Sequence, residues 1–207
     1  MISPDEFIPI AEESNFINEL GRWVIRTACA QFSHWLERFN TAEIHFSVAV
    51  NLSAKQLKDK GLIDYCKDCI EHYKIPPKRF ELELTESNLV SSLDAVDTLN
   101  ELAEIGVELA LDDFGTGYSS LSHLKAYPFS ILKIDKSFVQ SAKPGQDECM
   151  LKAVCAFAKS LNYKTVAEGI ETEQQHKLCA ELNIDRLQGY YFGRPSEVDV
   201  IEQKWLA

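Results

Sequence analysis

Positive charge is what this chain is short of. Its 207 residues carry 21 Lys and Arg against 32 Asp and Glu, a formal net charge of −11. A surface that negative repels polyphosphate, which argues against coating DNA or lying on anionic lipid. Long hydrophobic runs are also missing. No stretch approaches the length that spans a bilayer, and the opening MISPDEF lacks the pattern of a secretory signal. The expectation is a cytoplasmic domain with no membrane contact of its own, standing alone or as the cytoplasmic part of a membrane-anchored parent. Low-complexity tracts, repeats and long linkers are absent as well. With 45% hydrophobic and 26% charged residues the composition excludes disorder and fibrous folds, and a single domain over residues 1–207 is expected.

Neither cysteine nor histidine supplies a site. The six cysteines (Cys29, Cys66, Cys69, Cys149, Cys155 and Cys179) are scattered through a chain too large to need covalent staples, so free thiols are expected. Cys66-Lys67-Asp68-Cys69 is the one suggestive spacing, yet it lies in a helix-like stretch without a second pair. The five histidines (His34, His45, His72, His123 and His176) form no ligand spacing and read as structural. Trp23, Phe32, Trp35 and Phe39 recur at helical spacing and read as packing residues.

What the chain does have is alternation. Ser3-Pro4-Asp5-Glu6 predicts a helix start with Ser3 as cap and Glu6 reaching back, and residues 20–39 predict an amphipathic helix. Strands are predicted over 45–52, 80–85, 107–113, 131–135, 165–167 and 186–192. Helices are predicted between them over 56–73, 93–105, 119–126, 148–161 and 172–182. Six strands alternating with helices imply parallel pairing through helical crossovers, an α/β chain.

At or near the C-terminal end of each predicted strand falls a polar residue: Asn51, Glu83, Asp112 with Asp113, Lys133, Glu168 and Gln188. Apolar runs that end in carboxylates in successive βα units are how a TIM-type (β/α) barrel gathers a site on one rim. The donors are hard oxygens, a set that suits Mg²⁺ or Mn²⁺ better than zinc. Adjacent Asp112 and Asp113 suggest two ions, the usual apparatus for phosphodiester hydrolysis. For Lys133, orienting water or stabilising phosphoryl charge stands level with an interior ion pair to Asp135 or another carboxylate. The glycine loop DFGTGYSS after Asp112 matches neither a P-loop nor a dinucleotide fingerprint.

In order and with compatible spacing, ISPDEFIPIAEE, VAVNLSAKQL, FELELTES, ALDDFGTGYSSL, LKIDKSFV, TVAEGIET and LQGYYFGRP closely resemble the EAL family of bacterial cyclic di-GMP phosphodiesterases. The resemblance runs from Ile2 to about Pro195. It implies a (β/α)8-type barrel and hydrolysis of cyclic di-GMP to linear pGpG with Mg²⁺ or Mn²⁺. Asn51, Glu83 and Asp112 would hold a first ion, and Asp112, Asp113 and Glu168 a second. Lys133 would hold the attacking water, and Gln188 would position a metal-bound one. Glu86 would anchor the DDFGTG loop, through which the family couples its site to a homodimer interface. Asp135 and Glu171 would support the ligands. Sensory or diguanylate-cyclase-type domains are expected in a full-length parent.

The family's first two strands, its Glu-Ala-Leu signature and its substrate-contacting glutamine and arginine precede the segment matched by ISPDEF. Glu108-Leu109-Ala110 is not that signature, because it sits in the strand leading to Asp112. The expected fold is thus an incomplete barrel, about six of eight strands. Two functions follow: a metal-dependent phosphodiesterase, or a catalytically inactive EAL-like module that binds cyclic di-GMP or regulates a partner.

Overall fold

A computed structural model describes residues 2–39, 46–86, 95–116, 124–142 and 148–206. The chain divides into two compact units, Met1–Leu109 with Ser119–Pro128, and Ala110–Tyr118 with Phe129–Ala207. The predicted helix over 119–126 falls mostly outside the described residues, as do His45 and His123.

In the first unit, helix α1 (Pro4–Glu13) starts at a proline, whose missing N–H costs nothing at that position. Ser3 caps it differently from expectation: its backbone carbonyl accepts from the N–H groups of Glu6 and Phe7, and its hydroxyl is no cap acceptor. Helix α2 (Ile17–Arg38) buries Ile17, Gly21, Ile25, Cys29 and Phe32 at steps of three and four, one face of a helix. Phe32 and Trp35 meet Phe46 edge-on at 5.0 and 6.1 Å. Trp23 departs from the packing expectation and is 55% exposed, because it lies off that buried stripe.

The helix predicted over 56–73 is broken. A short 3-10 turn, Gln56–Lys58, is followed by α3 (Leu62–His72). Asp59 makes the break: its carboxylate accepts from the Gly61 N–H at 3.0 Å and from the Arg22 guanidinium at 2.7 Å. An aspartate that bonds backbone two residues on competes with the helix ladder. Cys66 and Cys69 share the buried face of α3 and are core residues. Strands β1 (Val48–Asn51) and β2 (Phe80–Thr85) pair in parallel, with Asn51 opposite Glu83. Helix α4 (Ala95–Glu104) follows, and residues 93–94 of its predicted span lie outside the described residues.

In the second unit, β3 (Glu108–Phe114, from Ala110 onward), β4 (Ile131–Ile134), β5 (Lys164–Ala167) and β6 (Arg186–Leu187) pair in parallel in that order. Between them run α5 (Lys136–Ser141), α6 (Glu148–Ser160) and α7 (Glu173–Glu181), with α8 (Val198–Ile201) near the end. Asp135 caps α5 by accepting from the Ser137 N–H. Thr172 and Gln175 form a reciprocal capping box on α7. The last strand stops at Leu187, short of the predicted 192. Gln188 still donates to the Ala167 carbonyl, but Gly189 lies so close to the Ile170 backbone that the chain turns away there.

Side-chain alternation sorts one face of this sheet into layers. Ala110, Ile131 and Val166 form a buried apolar cluster. Asp112, Lys133 and Glu168 come two residues later on three neighbouring strands, so they sit on the same face one layer up. An apolar floor beneath a polar rim is how parallel α/β sheets build sites at the carboxyl ends of their strands.

Candidate metal centre

The second unit holds the densest constellation. Asp112, Asp113 and Glu168 each offer a carboxylate oxygen, and the three lie within 4.8 Å of one another. Neighbours in a regular strand point to opposite faces, so Asp112 and Asp113 should diverge. They converge because β3 bulges between Leu111 and Phe114: three steps along β3 answer two along β4. Asp113 takes up the extra residue in a left-handed conformation, φ 54°, and its N–H donates to Asp112 Oδ1 at 2.9 Å. A bulge of this kind re-aims side chains at sites. Asp tolerates positive φ better than most side chains do.

Lys133 projects between the strands that carry the acids. Its Nζ stands 3.0 Å from Asp112 Oδ1 and 2.8 Å from Glu168 Oε1, with a side chain only 6% exposed. Three carboxylates and one ammonium leave the cluster two negative charges in excess. Burial pushes the Glu168 carboxyl above its ordinary range, with Asp112 and Asp113 adding to the rise against the pull of Lys133. Burial also raises Asp113, followed by the charges of Asp112 and Asp135. A residual negative charge among close, hard oxygen donors is the condition a divalent cation relieves, and the donor set suits Mg²⁺ or Mn²⁺.

Glu168 is held by its N–H on the Ile134 carbonyl at 3.1 Å, and Gly169 follows at φ 67°. Gln188 is exposed, with its backbone fixed at both ends, to Ala167 and to Ile170. Asp135 is buried as the cap of α5, so it is Asp112 and Glu168 that pair with Lys133. Glu171 is exposed, and its N–H donates to the Gln175 side chain.

In the first unit, Asn51 and Glu83 are register partners at the ends of β1 and β2, so their side chains leave the same face side by side. Glu83 is buried and Asn51 exposed. Glu86, just beyond β2, is 2% exposed. A cleft of about 600 Å³ opens beside Asn51, lined by Phe7, Ile8 and Pro9 of α1 and by Ser53, Gln56 and Thr85. Sequence reasoning missed this cleft, because a helix–strand groove has no motif of its own. Pro4 and Pro9 of SPDEFIPIAEE were its only trace.

These features define a class: parallel α/β units that present acidic and amide side chains at strand ends around a buried lysine. The family is shown by comparison. The model of the EAL domain family matches residues 1–195. MucR of Pseudomonas aeruginosa, a bifunctional diguanylate cyclase/cyclic di-GMP phosphodiesterase, is 40% identical over 197 residues, 94% of this chain and 28% of its own length. The cyclic di-GMP phosphodiesterase NbdA of the same organism is 37% identical over 206 residues, 98% of this chain and 26% of its own. The solved structure of the Pseudomonas MucR phosphodiesterase in complex with cyclic di-GMP is 38% identical. It superposes with a TM-score of 0.87, covering 97% of this chain and 81% of that one. The chain belongs to the EAL domain family, and its fold is the TIM-type α/β fold of that family, represented by six strands among the described residues. It spans about a quarter of the length of the curated relatives it matches. Among the described residues, no helix is long and apolar enough to cross a membrane.

Proposed function

We propose that this chain is the catalytic segment of a cyclic di-GMP phosphodiesterase, acting as one domain and opening a single phosphodiester bond to give pGpG. The observation that carries the reading is the trio Asp112, Asp113 and Glu168, oxygens within 4.8 Å, with Lys133 ion-paired among them. The relatives' named activity and the cyclic di-GMP complex of MucR support the choice of substrate.

Asp112, Asp113 and Glu168 would hold one Mg²⁺ or Mn²⁺, and Asn51 and Glu83 would serve a second. When bound, such ions polarise the phosphoryl oxygens and lower the pKa of water. The chain's own groups do the rest. Lys133 places a positive charge where negative charge develops on the phosphoryl group, and offers N–H donors to the attacking water. Gln188, anchored through its backbone, turns its amide toward a second water. The cleft beside Asn51, apolar on the α1 side, takes a nucleobase and excludes water from it. A homodimer coupled through the DDFGTG loop, and sensory or cyclase domains in a longer parent, complete the proposal.

The test is direct. Purified chain, Mn²⁺ and cyclic di-GMP are incubated and the products separated by chromatography. Formation of pGpG that disappears in Asp112→Ala and Lys133→Ala is the expected result. A folded, Mn²⁺-binding chain that makes no product while still binding cyclic di-GMP in calorimetry would replace the enzyme with a receptor.

A further inference from the structure

Lys133 occupies the place where a cation belongs. Of the three carboxylates in the cluster it holds two, Asp112 and Glu168, at 3.0 and 2.8 Å. It is the one lysine buried among the described residues. An ammonium that deep must be matched by charge, and the acids around it must be matched in turn. Asp112 and Asp113 lie on one strand and Glu168 on another, with Lys133 on the strand between.

A divalent ion bound by Asp112 and Glu168 would stand beside the oxygens that Lys133 now holds, Asp112 Oδ1 and Glu168 Oε1. Two cations on the same pair of carboxylates repel each other strongly at this burial. A lysine can yield: its charge sits on a flexible four-carbon stem and is free to turn toward another anion.

We propose that Lys133 is the resident cation of the metal-free cluster, and that a divalent ion enters by exchange, with Lys133 releasing Asp112, Glu168 or both. The inference rests on the metal-dependent reading above and goes further, because it makes Lys133 a competitor of the metal. Linkage is reciprocal: if the metal weakens the lysine's ion pairs, the lysine weakens metal binding by the same factor. Lys133 thus ties the acids of the rim together, and the entry of metal frees its ammonium to face a phosphate.

Lys133→Met, which keeps the length and removes the charge, separates exchange from a purely structural ion pair. Mn²⁺ is titrated calorimetrically into both proteins, and their melting temperatures are read in chelator and in Mn²⁺. Exchange predicts that the variant melts lower in chelator, gains more on adding Mn²⁺, and binds Mn²⁺ more tightly by about tenfold. A structural ion pair also lowers the melt in chelator but leaves affinity unchanged or weaker, and that outcome overturns the proposal. If both proteins fail to bind Mn²⁺, the metal-dependent reading itself is wrong and the inference falls with it. Should Lys133→Met not fold, the wild-type chain carries the test. The protected ammonium of ¹⁵N-labelled Lys133 is followed by NMR while Mg²⁺ is added. Its loss or large shift as Mg²⁺ binds supports exchange, and an unchanged signal at saturation refutes it.

Discussion

Gly189→Ala is a small change whose cost can be worked from the structure. Gly189 has no need of positive φ; it is required by proximity alone. A Cβ built on it falls within van der Waals contact of the carbonyl oxygen and amide nitrogen of Ile170, and 2.7 Å from its carbonyl carbon. These are backbone atoms, so no rotamer change relieves the overlap. Restoring an ordinary carbon–carbon separation of about 3.5 Å needs a retreat of at least about 0.8 Å, and the nearer oxygen and nitrogen demand more. That retreat pulls on two backbone hydrogen bonds, Ile170 N–H to Gln188 O at 3.0 Å and Gln188 N–H to Ala167 O at 2.8 Å. With each bond worth about 1 kcal/mol and about 1 kcal/mol of remaining strain, the variant loses about 3 kcal/mol. At about 2–4 °C per kcal/mol for a chain of this size, the melting temperature should fall by about 6–12 °C. The displaced segment carries Glu168 and Gln188 at its two ends. Turnover should therefore fall by about 100-fold even well below the melt, the usual cost of misplacing a catalytic group by about 1 Å. Calorimetric melts and initial rates with cyclic di-GMP check both figures. A variant within about 2 °C of the parent and equally active would show that the Gly189–Ile170 approach does not position the rim.

Two further outcomes follow from the same chemistry. Burial alone would raise the Asp185 carboxyl, but hydrogen bonds from the Thr165 N–H and hydroxyl at 2.7 and 2.8 Å hold it below its ordinary 3.8. Because the folded value is the lower one, its stabilisation is present above pH 3.8 and drains away as acid passes through the folded value. Asp185→Ala should cost only about 1 kcal/mol in urea unfolding at pH 7, the exposed carboxylate being screened by solvent, and this difference should vanish in acid. Burial pushes the Cys29 and Cys66 thiols up to about 12, whereas Cys149 is exposed. A thiol-specific reagent at pH 8 should therefore modify Cys149 rapidly in the native chain and reach Cys29 and Cys66 only on unfolding.

Much of the candidate site was legible because strands have a period of two. In ALDD, ILKID and TVAEG, an apolar residue stands two positions before Asp112, Lys133 and Glu168. An apolar floor under a charged rim could thus be read directly from the chain. The acids could also be assigned to hard-cation chemistry from residue type alone, since a carboxylate's preference does not depend on where it lies. The sequence by itself determined the α/β alternation, the polar strand ends and the family.

Tertiary contacts decided the rest. The meeting of Asp112 with Asp113 depends on a bulge, which arises from the register of β3 against β4, and no property of either aspartate announces it. The break at Asp59 needs Arg22, 37 positions earlier, as a second partner for the same carboxylate. The early end of β6 follows from how closely Gly189 approaches Ile170. Lys133 was read either as acting on water and phosphate or as pairing with Asp135 or another carboxylate, and only the distances name Asp112 and Glu168 as partners. Each case turns on a contact between residues distant in the chain. Local propensity is blind to such contacts, because a side chain's charge and shape are written in the sequence but its neighbours are not.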